Sequence, residues 1–207
     1  MKKNLIQKNL NERTGSLLKP YSVTFISNDE GNTPTISFSN GQEKKLKVGD
    51  ILTDICHIKT NSHRVEITSS NGTLFRLGLN SEFSIEKTIE GVVPVYYGEV
   101  YVEARDQQPT HKYYTSCWCE STTIFIDNIS DHEDCYYTLD FPATIYEYDE
   151  EGNRFDIFRQ LALTKTSLTF DDNKPMRDRY KVKYQKKITQ SEIDYIVSNF
   201  VNPNNWI

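Results

Sequence analysis

The feature that most constrains the fold is the stretch over residues 46–103, LKVGDILTDICHIKTNSHRVEITSSNGTLFRLGLNSEFSIEKTIEGVVPVYYGEVYVE, where a short apolar run, a turn built on Gly or Asn and a return run recur several times. Val, Ile, Tyr, Phe and Thr fit a pleated, half-buried surface, while Gly and Asn supply the positive φ of tight turns. The pattern specifies consecutive hairpins, and Asn71-Gly72 between runs at 65–68 and 74–79 is its strongest local signal. Further strands are expected at 21–27, 35–39, 83–85, 92–97 and 99–103. The same grammar continues after a polar link at 105–111, with strands expected at 112–115, 122–126, 136–139, 143–148, 154–158, 161–164 and 167–170. No long helical pattern interrupts them, so the expected fold is all-β, an antiparallel roll or sandwich of many short strands.

A helix is expected only at the C-terminal end. Thr189 followed by Glu192 makes a capping box, and Ile193, Ile196, Val197 and Phe200 fall at i, i+3, i+4 and i+7 to form one apolar face. So short a helix is marginal alone, and its face must be buried on the body or on a neighbour. The chain thus divides into a polar arm at 1–18, a β domain at 19–175, and a basic strand plus helix at 176–207. With 207 residues it can bury a core without metal or disulfides.

The formal net charge of −5 argues against nucleic-acid binding through the overall field. The basic run RDRYKVKYQKK at 177–187 alternates charged and aromatic residues, as the polar face of a strand does. No run approaches the ~20 apolar residues of a membrane helix. The opening MKKNLIQKNLNERTG lacks the apolar core of a signal peptide, so a secreted precursor is not expected; a soluble, cytoplasmic or assembly-associated protein is the expectation, or a periplasmic one where a signal has been removed.

Several short motifs resemble the FecR domain, named for the ferric-citrate regulator. They are Gly49 and Asp50 in LKVGDIL, HIKT ending at Thr60, NGT at Asn71 to Thr73, Arg76 and Leu77, LNS ending at Ser81, and the turn of Gly98, Glu99 and Val100. The likeness is strongest over 46–103 and extends in weaker form to 21–42, to STTIFI at 121–126 and to GNRFDIFRQLAL at 152–163. It implies a β-rich roll that binds a protein or ligand, without the membrane helix and helical regulatory segment that familiar members carry.

Chemical constellations are sparse. Cys56, Cys117, Cys119 and Cys135 would suit zinc only if brought together, and the Cys-Trp-Cys spacing at 117–119 sends its thiols to opposite faces of a strand. A disulfide from Cys135 to Cys117 or Cys119, or buried free thiols, are the other readings. The acidic loop around Asp127, Asp131 and Asp134 lacks calcium-loop spacing. There is no nucleophile elbow, metalloprotease helix motif or phosphate loop. No enzyme activity, cofactor or metal is therefore expected.

Adjacent aromatic pairs turn one member outward in a strand, and outward Tyr and Trp anchor interfaces. The interaction candidates are Trp118, Tyr113, Tyr136 and Tyr97, together with Ile193, Ile196 and Phe200 of the helix. The leading expectation is a non-enzymatic protein-interaction or scaffolding module, bound to a protein partner or to itself within an assembly. An envelope sensor of a receptor or carbohydrate, and a carboxylate-based hydrolase, are the alternatives.

Overall fold

The computed structural model describes residues 20–52, 55–88, 91–104, 110–112, 116–119, 122–130, 132–148 and 153–202. The expected N-terminal arm lies outside the described residues. The strands are β1 Tyr21–Ile26, β2 Thr35–Phe38, β3 Glu43–Lys45, β4 Ile51–Leu52, β5 Cys56–Lys59, β6 Val65–Ser69, β7 Leu74–Leu77, β8 Glu82–Thr88 and β9 Gly91–Tyr97. They continue as β10 Val100–Glu103, β11 Thr110–Lys112, β12 Ser116–Cys119, β13 Thr123–Ser130, β14 Glu133–Thr138, β15 Ala143–Tyr148, β16 Arg154–Gln160, β17 Thr164–Phe170 and β18 Tyr180–Lys187. A four-residue helix α1 spans Met176–Arg179, and α2 spans Gln190–Ile196 and runs on as a π-helical turn over Val197–Val201.

The strands form two nine-stranded sheets. The first has the order β4-β1-β6-β7-β10-β13-β14-β17-β18, and the second β3-β2-β5-β8-β9-β11-β12-β15-β16. Successive hairpins alternate between them: β6-β7 in the first, β8-β9 in the second, then β13-β14, β15-β16 and β17-β18 in turn. Among the described pairs only β9 and β11 run parallel, because the intervening β10 crosses to the first sheet. The fold is the all-β sandwich that the hairpin grammar specifies.

One apolar core fills the space between the sheets. Phe75 of the first sheet meets Phe83 of the second edge to face at 5.3 Å, and Tyr21 stands edge-on to both at 6.2 and 5.9 Å. Around them pack Ile36, Ile58 and Ile85 from the second sheet and Val65, Ile67 and Leu77 from the first, all essentially inaccessible. The alternation of buried and half-exposed residues along β6 is what a two-layer sheet requires.

Three motif residues of the FecR resemblance, Thr60, Ser81 and Gly98, meet in one knot. Thr60 Oγ1 donates towards the carbonyls of Gly78 and Ser81 at 2.9 and 3.0 Å, and accepts from the Ser81 N–H at 2.8 Å. Gly98 closes the β9–β10 turn with φ +93°, and a Cβ there would meet Ser81 Oγ at 2.6 Å and Ser81 Cα at 3.0 Å. These motifs hold three neighbouring turns together. Gly98→Ala is accordingly expected to cost about 2 kcal/mol, from the left-handed backbone and the forced shift of Ser81. A urea midpoint unchanged from the parent would count against this.

Three local expectations need correction. Residues 161–164 are the crossing from the second sheet to the first, with Leu163 at φ +53°, and β17 begins only at Thr164. The strand expected to start at Lys112 starts at Thr110, and residues 113–115 lie outside the described residues. The helix begins on its capping box as expected, but Val197 is 43% exposed, because the π turn rotates the face onto Ile196 and Phe200. The short β3, with no apolar residue, carries no pattern that could announce it.

Candidate interaction surface at the C-terminal end of the sandwich

Most residues expected to reach a partner are used by the molecule itself. Tyr136 is 1% exposed and its ring meets Phe158 of the opposite sheet at 5.8 Å, so it belongs to the core. Strand alternation does turn one member of the pair outward, but that member is Tyr137. Likewise Tyr96 is buried and Tyr97 half-buried on the other side of its strand. Trp118 lies on β12, and both its side chain and Tyr113 fall outside the described residues.

The helix is also committed. Ile196 and Phe200 are buried against Tyr101 and Phe125 on the outer face of the first sheet, with Phe125 and Phe200 rings 4.9 Å apart, and Ile193 is half-buried. These three are therefore not a free docking face. Polar contacts fix the helix at several points along its length. Arg76 Nη1 donates to the carbonyls of Phe200 and Val201 at 2.5 and 3.0 Å while its Nε donates to Glu66 at 2.8 Å. Tyr195 donates to Glu99 at 2.6 Å, and Lys165 pairs with Glu192. Arg76 thus satisfies carbonyls that a helix end leaves open.

The two cysteines whose side chains are described, Cys56 and Cys135, lie apart. Cys56 is buried in the inter-sheet core, and Cys135 is a buried free thiol on the outer face of the first sheet, beside Tyr137 and Tyr184. The disulfide from Cys135 to β12 is not formed: Tyr136 takes the inward position on β14, so the Cys135 thiol faces away from the sheet that holds β12. Among the described residues no three His, Cys, Asp or Glu side chains group as metal ligands. Burial pushes the Cys135 thiol above its ordinary pKa. In the folded protein at pH 7–9, alkylation at Cys135 is expected to run at least ~100-fold slower than in denaturant, because the thiolate is scarce and reached only by opening. Mass-spectrometric mapping of adducts reads this directly, and comparable native and denatured rates would contradict it.

What the far end of the sandwich does expose is distinctive. The β14–β15 and β16–β17 connections run side by side over one rim, since Thr138 is in register with Thr164 and Ala143 with Gln160. Gln160 closes the β16–β17 connection, its Nε2 donating to the Thr164 carbonyl at 2.6 Å. Phe141, Leu161 and Leu163 stand on these connections with 61%, 50% and 55% of their surface exposed. Beside them lies a shallow depression of about 590 Å³ between Phe141, Pro142, Phe158 and Arg159. The last residue of β18, Lys187, pairs with Thr164 and so reaches the same rim.

The start of β18 is pinned to the second sheet. Arg179 Nη1 donates to Glu147 Oε1 of β15 at 2.8 Å, and burial raises the Glu147 carboxyl pKa. From there to Lys187 the strand borders, among the described residues, only β17, and every residue after Tyr180 is exposed. Sequence reading identified the basic strand but not the apolar rim, whose leucines sit inside a run that looks like strand.

The fold has a solved counterpart. The crystal structure of a candidate anti-sigma factor from Parabacteroides distasonis ATCC 8503 superposes with a TM-score of 0.50 and 9% identity, covering 69% of this chain and 64% of that one. The chain thus spans slightly less than two thirds of that neighbour's length, and the likeness is one of fold. No family model and no curated protein matches the sequence. Among the described residues no helix is long and apolar enough to cross a membrane.

Proposed function

We propose that this chain is a non-enzymatic, FecR-type β module that works by binding another protein in a regulatory or sensing role. The observation that carries the reading is the rim of Phe141, Leu161 and Leu163. Three large apolar side chains held in water on adjacent connections form the kind of patch that marks interaction sites. Leu163 adds a second cost: a bulky residue at φ +53° occupies a backbone region that Gly or Asn fills with less strain. Stability alone would favour a polar, αL-tolerant residue there. The shared fold with an anti-sigma factor candidate agrees with a regulatory role.

The test is light crosslinking and affinity recovery from the native source with the full chain and with a Phe141→Ser, Leu161→Ser, Leu163→Asn variant. The variant is expected to keep its melting temperature within a few degrees, since exposed sites contribute little to stability, and to lose the partner. Equal recovery by both proteins, or none by the parent, would overturn the reading.

A further inference from the structure

From the edge strand β18 we infer a second, chemically specific site: an acidic, extended segment of a partner protein adds there as a tenth strand of the first sheet. The inference deepens the protein-binding reading and rests on it. β18 is eight residues long, the last strand of its sheet, and among the described residues has a neighbour on one side only. A bulge at Lys183 shifts the register with β17, so the outer edge of β18 offers backbone N–H and C=O groups in two runs, Tyr180 to Val182 and Tyr184 to Lys187, rather than as one unbroken ladder. Val182 and Tyr184 are 42% and 37% exposed and give such a strand side chains to rest on.

Charge selects the occupant. Between Lys174 and Lys187 there are seven basic residues and one acidic, Asp178, in a chain whose formal net charge is −5. Only part of this is neutralised at home: Lys183 pairs with Glu133 at 2.6 Å, Arg179 with Glu147 and Lys174 with Asp171 at 3.7 Å, while Lys186 lies over the Tyr184 ring at 4.7 Å. Lysines on an edge oppose pairing with a second copy, since two such strands would set like charges against each other. The same lysines favour a strand carrying Glu or Asp. A nucleic acid would meet the charge but leave the backbone edge unused, and it would face the acidic remainder of the molecule.

The probe is an eight-residue peptide alternating Glu with Thr or Val, added at millimolar concentration to the full chain while amide hydrogen exchange is followed residue by residue. Exchange in β18 is expected to slow at least ~10-fold, because edge amides become bonded. The same peptide N-methylated on alternate residues keeps its charge and cannot form the ladder, so it is expected to protect nothing. Lys181→Gln with Lys186→Gln is expected to weaken peptide binding about five- to tenfold, as two screened surface charges would. Protection by the N-methylated peptide, protection of the same amides by an eight-nucleotide thymidine oligomer, or no protection by the parent peptide would each overturn the proposal. If the native partner is recovered equally with the two-lysine variant and lost with the rim variant, the edge site fails and the protein-binding reading stands. If the peptide protects β18 but the parent recovers no partner, the protein-binding reading fails by itself.

Discussion

Phe75→Ala is expected to lower the unfolding free energy by about 4 kcal/mol, the range for removing a fully buried phenyl ring. Phe75 is 1% exposed on β7 and touches rings on both layers: Tyr21 at 6.2 Å, Phe83 at 5.3 Å and Tyr96 at 6.3 Å. The substitution loses the transfer energy of the ring and opens a cavity that two rigid sheets cannot close. At roughly 2–4 °C per kcal/mol for a chain of this size, melting should fall by about 10 °C. Phe75→Leu fills much of the space and should lose distinctly less. Urea titrations with an unchanged slope would give the difference in free energy, and a loss below about 1 kcal/mol would mean that the sheets are held together elsewhere.

The second large effect concerns the C-terminal helix. Phe200→Ala removes the ring that stacks over Tyr101 and Phe125, and Arg76→Met removes the donor to the last helical carbonyls while leaving Glu66 without that guanidinium. Ile196 and Phe200 belong to a small cluster separate from the inter-sheet core, so the expected outcome is local. Amides over 190–201 should exchange at least ~100-fold faster in Phe200→Ala, a loss of about 3 kcal/mol in local protection, while strands between 65 and 138 keep theirs. Uniform acceleration throughout the molecule would show instead that helix and sandwich unfold as one unit.

Much of this architecture was legible in the residues because its signals are local. Asn71-Gly72 fixes a hairpin through the backbone those two residues favour, and Thr189 with Glu192 starts a helix through a cap that spans four residues. Pairing between sheets has no such signature. Alternation announces that one of Tyr136 and Tyr137 points inward, yet which one depends on the register of β13, β14 and β17, and the register sends Tyr136 to the core. The contact of Arg76 with Phe200 joins residues 124 positions apart and leaves no trace in either neighbourhood. The rim was hidden for a different reason: Leu161 and Leu163 read as the apolar beats of a strand, and only their crossing between sheets exposes them.

The alternate laying down of hairpins has a consequence for how such a molecule can change in size. Each new hairpin is added beside the one two steps before it and opposite the one just before it, so the sandwich lengthens along one axis while its thickness and the width of its core stay fixed. Inserting a consecutive pair of hairpins, one per sheet, would move the two ends apart by two strand spacings per sheet, roughly 10 Å, without asking any existing core residue to repack. Reach is thereby separable from stability: the end that carries Phe141, Leu163 and β18 can be carried outward on a longer shaft of the same cross-section, as repeat arrays are extended between their caps.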